Sequence, residues 1–351
     1  MTAHSLQSLP DFNEYSARFT EALISRDGED YDPSYLSRCL SYAKGLLERR
    51  LPVIFDREHL CALTGYSSRF IESAVGSPHL FYRNFEIPKK SGGFREISEP
   101  LPSLKDVQRW IYQNLLLRIP VSVAAKAFVP GKKLRDGVRF HVGQKFVIRV
   151  DIADFFPSIT RGRVFGLFRS LGYSSEVSGD LASLCCVCDC LPQGGVCSPY
   201  LSNIIMRSAD RRLLAYAREN SLRYTRYADD FTVSGQKFSK SIIEEVMSVI
   251  KSEGFTVNQK KTRVSRSGGR QVVLGHVVNG KVNAPREYRR ELRKVAYYVD
   301  RFGLDNHLAY LNERRSSASD YYLGKASFVL SANHRDRDAL DLKRILLDEV
   351  E

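Results

Sequence analysis

The strongest constraint on this chain is an alternating run that ends in a charge. Over residues 146–152, Phe146, Ile148, Val150 and Ile152 fall on one face of a strand, and Val147, Arg149 and Asp151 fall on the other. A carboxylate therefore ends a strand otherwise suited to a core. Residues 223–234 read as strand, tight turn, strand, with Ala228, Asp229 and Asp230 at the turn. Neighbouring strand residues point to opposite faces, so Asp229 and Asp230 can approach one site only if the chain turns there. Hard oxygen ligands of this kind are what a two-metal phosphoryl-transfer centre needs, with ions about 3.5–4 Å apart. Taken alone, an Asp-Asp pair at a hairpin is also good turn chemistry.

The charge distribution bears on the partner. Among 351 residues, 53 Lys and Arg against 40 Asp and Glu give +13. Residues 126–149 hold seven basic side chains and one acidic, and residues 251–294 hold twelve and three. Two concentrated basic segments on an otherwise balanced chain point to a polyanion, most simply nucleic acid. At 43% apolar the chain can bury real cores, which excludes disordered and fibrous classes. The uncharged stretch 190–206 contains two prolines and two glycines, so no membrane span of ~20 apolar residues is expected. The start MTAHSLQSLPDF has neither a basic head nor an apolar run, so no secretory signal is expected and the location is taken as cytoplasmic. Seven cysteines is an odd number, and Cys185, Cys186, Cys188 and Cys190 stand too close for a disulfide framework or a two-knuckle zinc site. They read as reduced thiols on a buried strand.

Residues 1–75 look mostly helical, with breaks at 27–33 and at Leu51-Pro52. Residues 81–99 read as two short strands around Ser91-Gly92-Gly93, and residues 104–119 as a helix carrying Leu104, Val107, Ile111 and Leu115 on one face. Ser198 before Pro199 reads as a helix cap. From Pro285 a helix begins with Tyr288, Leu292, Val295 and Val299 as its apolar stripe, and Arg286, Arg289, Arg290, Arg293 and Lys294 on the side suited to a phosphate backbone. Tyr288, Tyr297 and Tyr298 could stack on RNA bases, but core positions are the preferred reading.

Read together, KFVIRVDIADFFPSI, LPQGGVCSPYLSNIIM, YTRYADDFTVSG, GFTVNQKKTR and VVLGHVVNG resemble the successive palm motifs of a reverse transcriptase, and IPKKSGGFREI upstream resembles its fingers hairpin. The resemblance spans about residues 80–300 in the family's order. It implies an α+β fold, the right-hand polymerase of fingers, palm and thumb, without an RNase H domain. The implied domains are a helical extension over 1–75, fingers over 76–150, palm over 151–275 with a fingers segment at about 160–190, and thumb over 276–351. Asp151, Asp229 and Asp230 would be the catalytic carboxylates, holding two Mg²⁺ ions with the backbone at Ile152 (Mn²⁺ could replace them in vitro). Lys261 would serve the leaving pyrophosphate, with Lys260 as a substitute. Phe156 would be the gate beneath the sugar that excludes a ribose 2′-OH. Gln193 and Gly194 would contact the incoming nucleotide, although residues 191–195 could be only a strand-to-helix loop. Lys89 and Arg95 would meet the triphosphate from the fingers hairpin. Leu274 and Gly275 would form the primer grip.

The compact layout looks most like a bacterial retron reverse transcriptase. His141 keeps a histidine that retrons place before the first aspartate, while Gly137 and Val138 replace their Asn-Ala pair. Asn279 stands in Val278-Asn279-Gly280 where retrons show Val-Thr-Gly. Both segments lie in the basic stretches and would hold RNA; the alternatives are a structural histidine and a simple hairpin turn at Asn279-Gly280. The retron resemblance implies a cognate noncoding RNA as template and primer, deoxynucleoside triphosphates as substrates, and a short DNA left 2′,5′-linked to that RNA. It also implies an antiphage role with an effector protein encoded nearby. Two alternatives remain open: another small bacterial reverse transcriptase of the diversity-generating or abortive-infection type, and an RNA–DNA-binding scaffold that controls an effector.

Overall fold

The computed structural model describes residues 8–27, 32–89, 92–312 and 317–348. Ser91 of the expected hairpin turn, and the first seven residues on which the signal-peptide expectation partly rests, lie outside them. The strands are β1 (Tyr82–Pro88), β2 (Phe94–Pro100), β3 (Phe146–Asp151), β4 (Arg223–Tyr227), β5 (Asp230–Gly235), β6 (Arg263–Arg266), β7 (Val272–Val273) and β8 (His276–Val277). Among the described residues no helix is long and apolar enough to cross a membrane.

The chain forms two compact units, one of residues 1–122 and 153–208 and the other of 123–152 and 209–351. In these units residues 123–152 group with the later sheet, and residues 153–208 with the N-terminal helices. In the first unit the helices Phe12–Asp27, Pro33–Glu48, Arg57–Thr64 and Ser68–Gly76 precede the β1–β2 hairpin. Side-chain oxygens of Asp32, Asp56 and Ser67 cap the last three of these helices, which satisfies backbone N–H groups left open in the first turn. Leu104, Val107, Ile111 and Leu115 are fully buried on and just beyond the helix Pro102–Asn114, as their spacing predicts. Cys185 and Cys186 are buried at the end of the helix Ser175–Cys185, while Cys188 is exposed. The expected cysteine strand is thus a helix terminus followed by a tight turn, and all seven cysteines are free thiols. Ser198 is not the cap of its helix: Cys197 holds that position, and the buried Ser198 hydroxyl makes no hydrogen bond among the described residues.

The second unit is built on a four-stranded antiparallel sheet in the order β4-β5-β3-β6. Phe146, Ile148, Val150 and Ile152 are buried, and Val147 on the opposite face of β3 is buried as well, against Val138, Val273 and Val278. The helix Lys240–Ser252, capped by Ser239, packs against β3. Towards the C-terminus, Leu292, Val295, Val299, Tyr322, Val329, Leu342 and Leu346 form a separate helical core. Tyr288 packs against that core, whereas Tyr297 and Tyr298 are 53% and 41% exposed, Tyr298 stacking on the buried His307, which corrects the expectation of buried core positions for these two residues.

Candidate active site

Register brings the carboxylates together. Antiparallel pairing sets Asp151 directly opposite Asp230, and Tyr227 opposite Asp230 closes the hairpin with Ala228 and Asp229 at its corner. Ala228 has φ +55°, a left-handed geometry that costs an ordinary residue energy and must be held by its surroundings. A buried ion pair holds it. Arg226 donates from Nε and Nη2 to Asp210 at 2.9 and 2.7 Å, and from Nη1 to the Ala228 carbonyl at 3.1 Å. The Tyr224 hydroxyl donates to the same Asp210 at 2.7 Å. Arg226 and Asp210 are both fully buried, so their charges are compensated only within the protein. Nothing in the sequence pairs these two residues in advance.

At the other side of the site, the Asn258 N–H donates to the Asp151 carbonyl at 2.7 Å, and Ile152 bridges to Val257. This ties the short turn Gln259–Lys261 to the end of β3 and carries the Lys261 ammonium to 3.1 Å from Asp151 Oδ1. The Ile152 N–H donates to the Asp229 carbonyl at 3.2 Å, joining the strand end to the hairpin corner. Burial, and then the charge of Asp151, push the Asp229 carboxyl up to about 6. Burial also raises Asp151, against the opposing pull of Lys261. The Asp230 carboxylate accepts from Arg149 through Nε at 3.0 Å and also from Nη2, and the Thr232 hydroxyl donates to its other oxygen at 3.3 Å. Arg149 was not singled out as functional from the sequence, although its place two residues before Asp151 on the same strand face was the available signal.

As they stand, no three His, Cys, Asp or Glu side chains among the described residues form a metal cage. The reason is visible: Asp151 is turned to Lys261 and Asp230 to Arg149. The donor set nevertheless fits a hard divalent ion. It offers carboxylate oxygens at one corner, and Asp229, which has no cation hydrogen-bonded to it among the described residues, is held against burial and a neighbouring negative charge.

Lys89, Arg95, Phe156, Gln193 and Gly194 belong to the other unit. Lys89 and Arg95 are exposed on the hairpin, with Arg95 opposite Ile87. The Phe156 ring lies 5.4 Å from that of Phe155. The Gln193 carbonyl accepts from the Ser98 N–H at 2.9 Å, and a Cβ on Gly194 would come within 2.8 Å of the Ser98 oxygen. Gly194 is thus needed for the close approach of its loop to β2. In the second unit, Leu274 and Gly275 have φ +48° and +81° at the corner between β7 and β8, the signature of a type I′ turn.

Several of the expected RNA contacts are engaged within the fold. His141 is completely buried, with Nδ1 2.7 Å from the Ser234 hydroxyl and Nε2 2.8 Å from the Thr225 hydroxyl, so its ring offers no atom to RNA. Asn279 accepts from the Gln271 N–H at 2.9 Å and donates to the Gly269 carbonyl at 2.7 Å, bracing its own loop instead of forming a simple hairpin. Arg293 is exposed but donates to Asp338 at 2.7 Å, and Arg289 is half-buried, which leaves Arg286, Arg290 and Lys294 as the exposed cations of that set outside an ion pair among the described residues of the helix Arg286–Phe302.

Residues 87–293 match the family model for reverse transcriptase (RNA-dependent DNA polymerase). The chain is 32% identical over 295 residues to the retron Ec86 reverse transcriptase of Escherichia coli, covering 83% of this chain and 88% of that protein. It is 38% identical over 289 residues to the retron Mx65 reverse transcriptase of Myxococcus xanthus, covering 75% of this chain and 67% of that one. A solved structure of telomerase from Candida albicans overlays with a TM-score of 0.42 at 10% identity, over 76% of this chain and 63% of that one. The chain belongs to the reverse transcriptase family and, within it, to the bacterial retron type. It is an RNA-directed DNA polymerase, acting on an RNA template with deoxynucleoside triphosphates, in a family that uses divalent metal ions.

Proposed function

We propose that this polymerase works in the cytoplasm and copies part of its own structured noncoding RNA into a short single-stranded DNA, using a guanosine 2′-OH of that RNA as primer and leaving the product 2′,5′-linked. The observation that carries the reading is the β3–β5 register, which sets Asp151 against Asp230 with Asp229 at the adjoining corner. In this reading Asp151, Asp229, Asp230 and the Ile152 carbonyl hold two Mg²⁺ ions, for which Mn²⁺ can substitute in vitro. When bound, the ions supply activation of the attacking hydroxyl and charge compensation on the triphosphate.

The remaining chemistry falls to the side chains. The Lys261 ammonium, held at 3.1 Å by Asp151, stands ready to give a proton to the departing pyrophosphate. Phe156 excludes the ribose 2′-OH, Gln193 and Gly194 border the incoming nucleotide, and Lys89 and Arg95 meet its phosphates. The corner at Leu274 and Gly275 supports the primer end. Arg286, Arg290 and Lys294 carry the RNA backbone, which their exposure supports. The enzyme and its RNA–DNA product together restrain an effector protein encoded nearby, within an antiphage system.

The test is to express the chain with its native flanking DNA, purify it, and ask whether bound DNA changes size after RNase and debranching treatment. Branched RNA-linked DNA, absent from Asp229→Asn and from Asp151→Asn, is the expected result. Unbranched DNA would remove the 2′,5′ priming from this reading and retain the polymerase.

A further inference from the structure

Two of the three catalytic aspartates are held by cations, and the two grips differ. Lys261 reaches Asp151 on a flexible stem that is 60% exposed, so its hold yields readily to a competing ion. Arg149 holds Asp230 differently. The two residues sit diagonally across β3 and β5, since Arg149 pairs with Thr232 and Asp151 pairs with Asp230. Arg149 brings two guanidinium nitrogens onto Oδ2, and the Thr232 hydroxyl occupies Oδ1. Both carboxylate oxygens of Asp230 are therefore engaged, and its side chain is 12% exposed. The pair lines a cleft of about 230 Å³ together with Asp151, Lys261 and Arg263.

We infer that Arg149 is a positioning residue that competes with the divalent ion for Asp230, so that metal loading and release of the guanidinium from Asp230 are one event. A planar two-nitrogen grip is lost only as a unit, which makes Arg149 the side chain that sets the ion concentration at which the site fills. Asp229, without such a partner, is the carboxylate that engages the ion first. The inference rests on the proposed assignment of the three aspartates as metal ligands.

The experiment is an Mn²⁺ titration of the full-length chain freed of nucleic acid, read from the electron paramagnetic resonance of unbound Mn²⁺. Removing a partly exposed charge-assisted pair is expected to tighten Mn²⁺ binding by about fivefold in Arg149→Gln. Arg149→Lys keeps the charge but loses the fork, and should tighten binding by a smaller factor. It also serves if the glutamine variant does not fold. Equal or weaker binding in the folded variants, with the wild-type site still lost in Asp229→Asn, would overturn the role of Arg149 alone. Wild-type binding indifferent to Asp229→Asn would overturn the metal assignment and the inference with it.

Discussion

Asp229→Asn should abolish polymerisation and at the same time stabilise the metal-free protein. The Asp229 carboxyl is raised from its ordinary 3.8 to about 6, first by burial and then by Asp151. A carboxyl raised in this way contributes stability below its unfolded value that is lost as pH rises through its folded value. At neutral pH without metal, the ionised side chain therefore works against the fold. The gap of about two pH units corresponds to about 3 kcal/mol, and partial solvent access reduces this to about 1–2 kcal/mol. At about 2–4 °C per kcal/mol, the variant should melt about 2–8 °C higher than wild type in EDTA at pH 7.5. Lowering the pH to 5 should narrow the difference, because wild-type Asp229 takes up its proton. Adding Mg²⁺ should narrow it as well, since only wild type gains a well-held ion. Melting curves of both proteins across this matrix are the assay. A variant no more stable than wild type in EDTA, with a difference that ignores pH, would refute the argument that Asp229 is held at electrostatic cost.

Other outcomes follow from particular side chains. Phe156→Ala should admit ribonucleotides, measured as the ratio of ribo- to deoxynucleotide incorporation, and unchanged selectivity would remove Phe156 from the gate. Arg226→Met strands the buried Asp210 carboxylate and frees the Ala228 carbonyl, so it should cost about 3–5 kcal/mol in denaturant unfolding, with much recovered by a second change of Asp210 to an apolar residue. His141→Ala should cost about 2–4 kcal/mol and leave RNA affinity nearly unchanged. Burial, with a smaller contribution from Arg223, pushes the His141 ring down to about 3, so its stabilisation is present above 6.5 and is lost as pH falls towards 3; the alanine variant should lack that acid-sensitive component. Charge reversal at Arg290 and Lys294 should weaken RNA binding and lower its salt slope by about 0.9 for each phosphate no longer neutralised. An unaltered slope would move the RNA path off this helix.

Much of the site was legible because it depends on short-range regularities. Alternation over residues 146–152 put Phe146, Ile148, Val150 and Ile152 on one buried face and left Arg149 and Asp151 on the other, where Val147 packs with Val138, Val273 and Val278. The need for a turn at Asp229-Asp230 followed from strand geometry, and the left-handed Ala228 corner supplies it. Where sequence reading failed, the deciding terms were burial and long-range pairing that no local pattern encodes. Basic spacing made Arg293 look like an RNA contact, yet Asp338, brought alongside by helix packing, takes it. Tyr297 and Tyr298 were expected in the core, yet the 3.6-residue period carries both off the stripe of Leu292, Val295 and Val299, and both are exposed.

Sequence alone thus determined the polymerase motifs, the strand that carries Asp151 and the hairpin that carries Asp229 and Asp230. Each of these follows from residue spacing along a few consecutive positions. Only the tertiary structure decided how charges are shared out: Lys261 to Asp151 across 110 residues, Arg149 to Asp230 across 81, and His141 to Ser234 and Thr225 inside the core. Those pairings depend on sheet register and on which groups are removed from water together, quantities that exist only once the distant segments have packed.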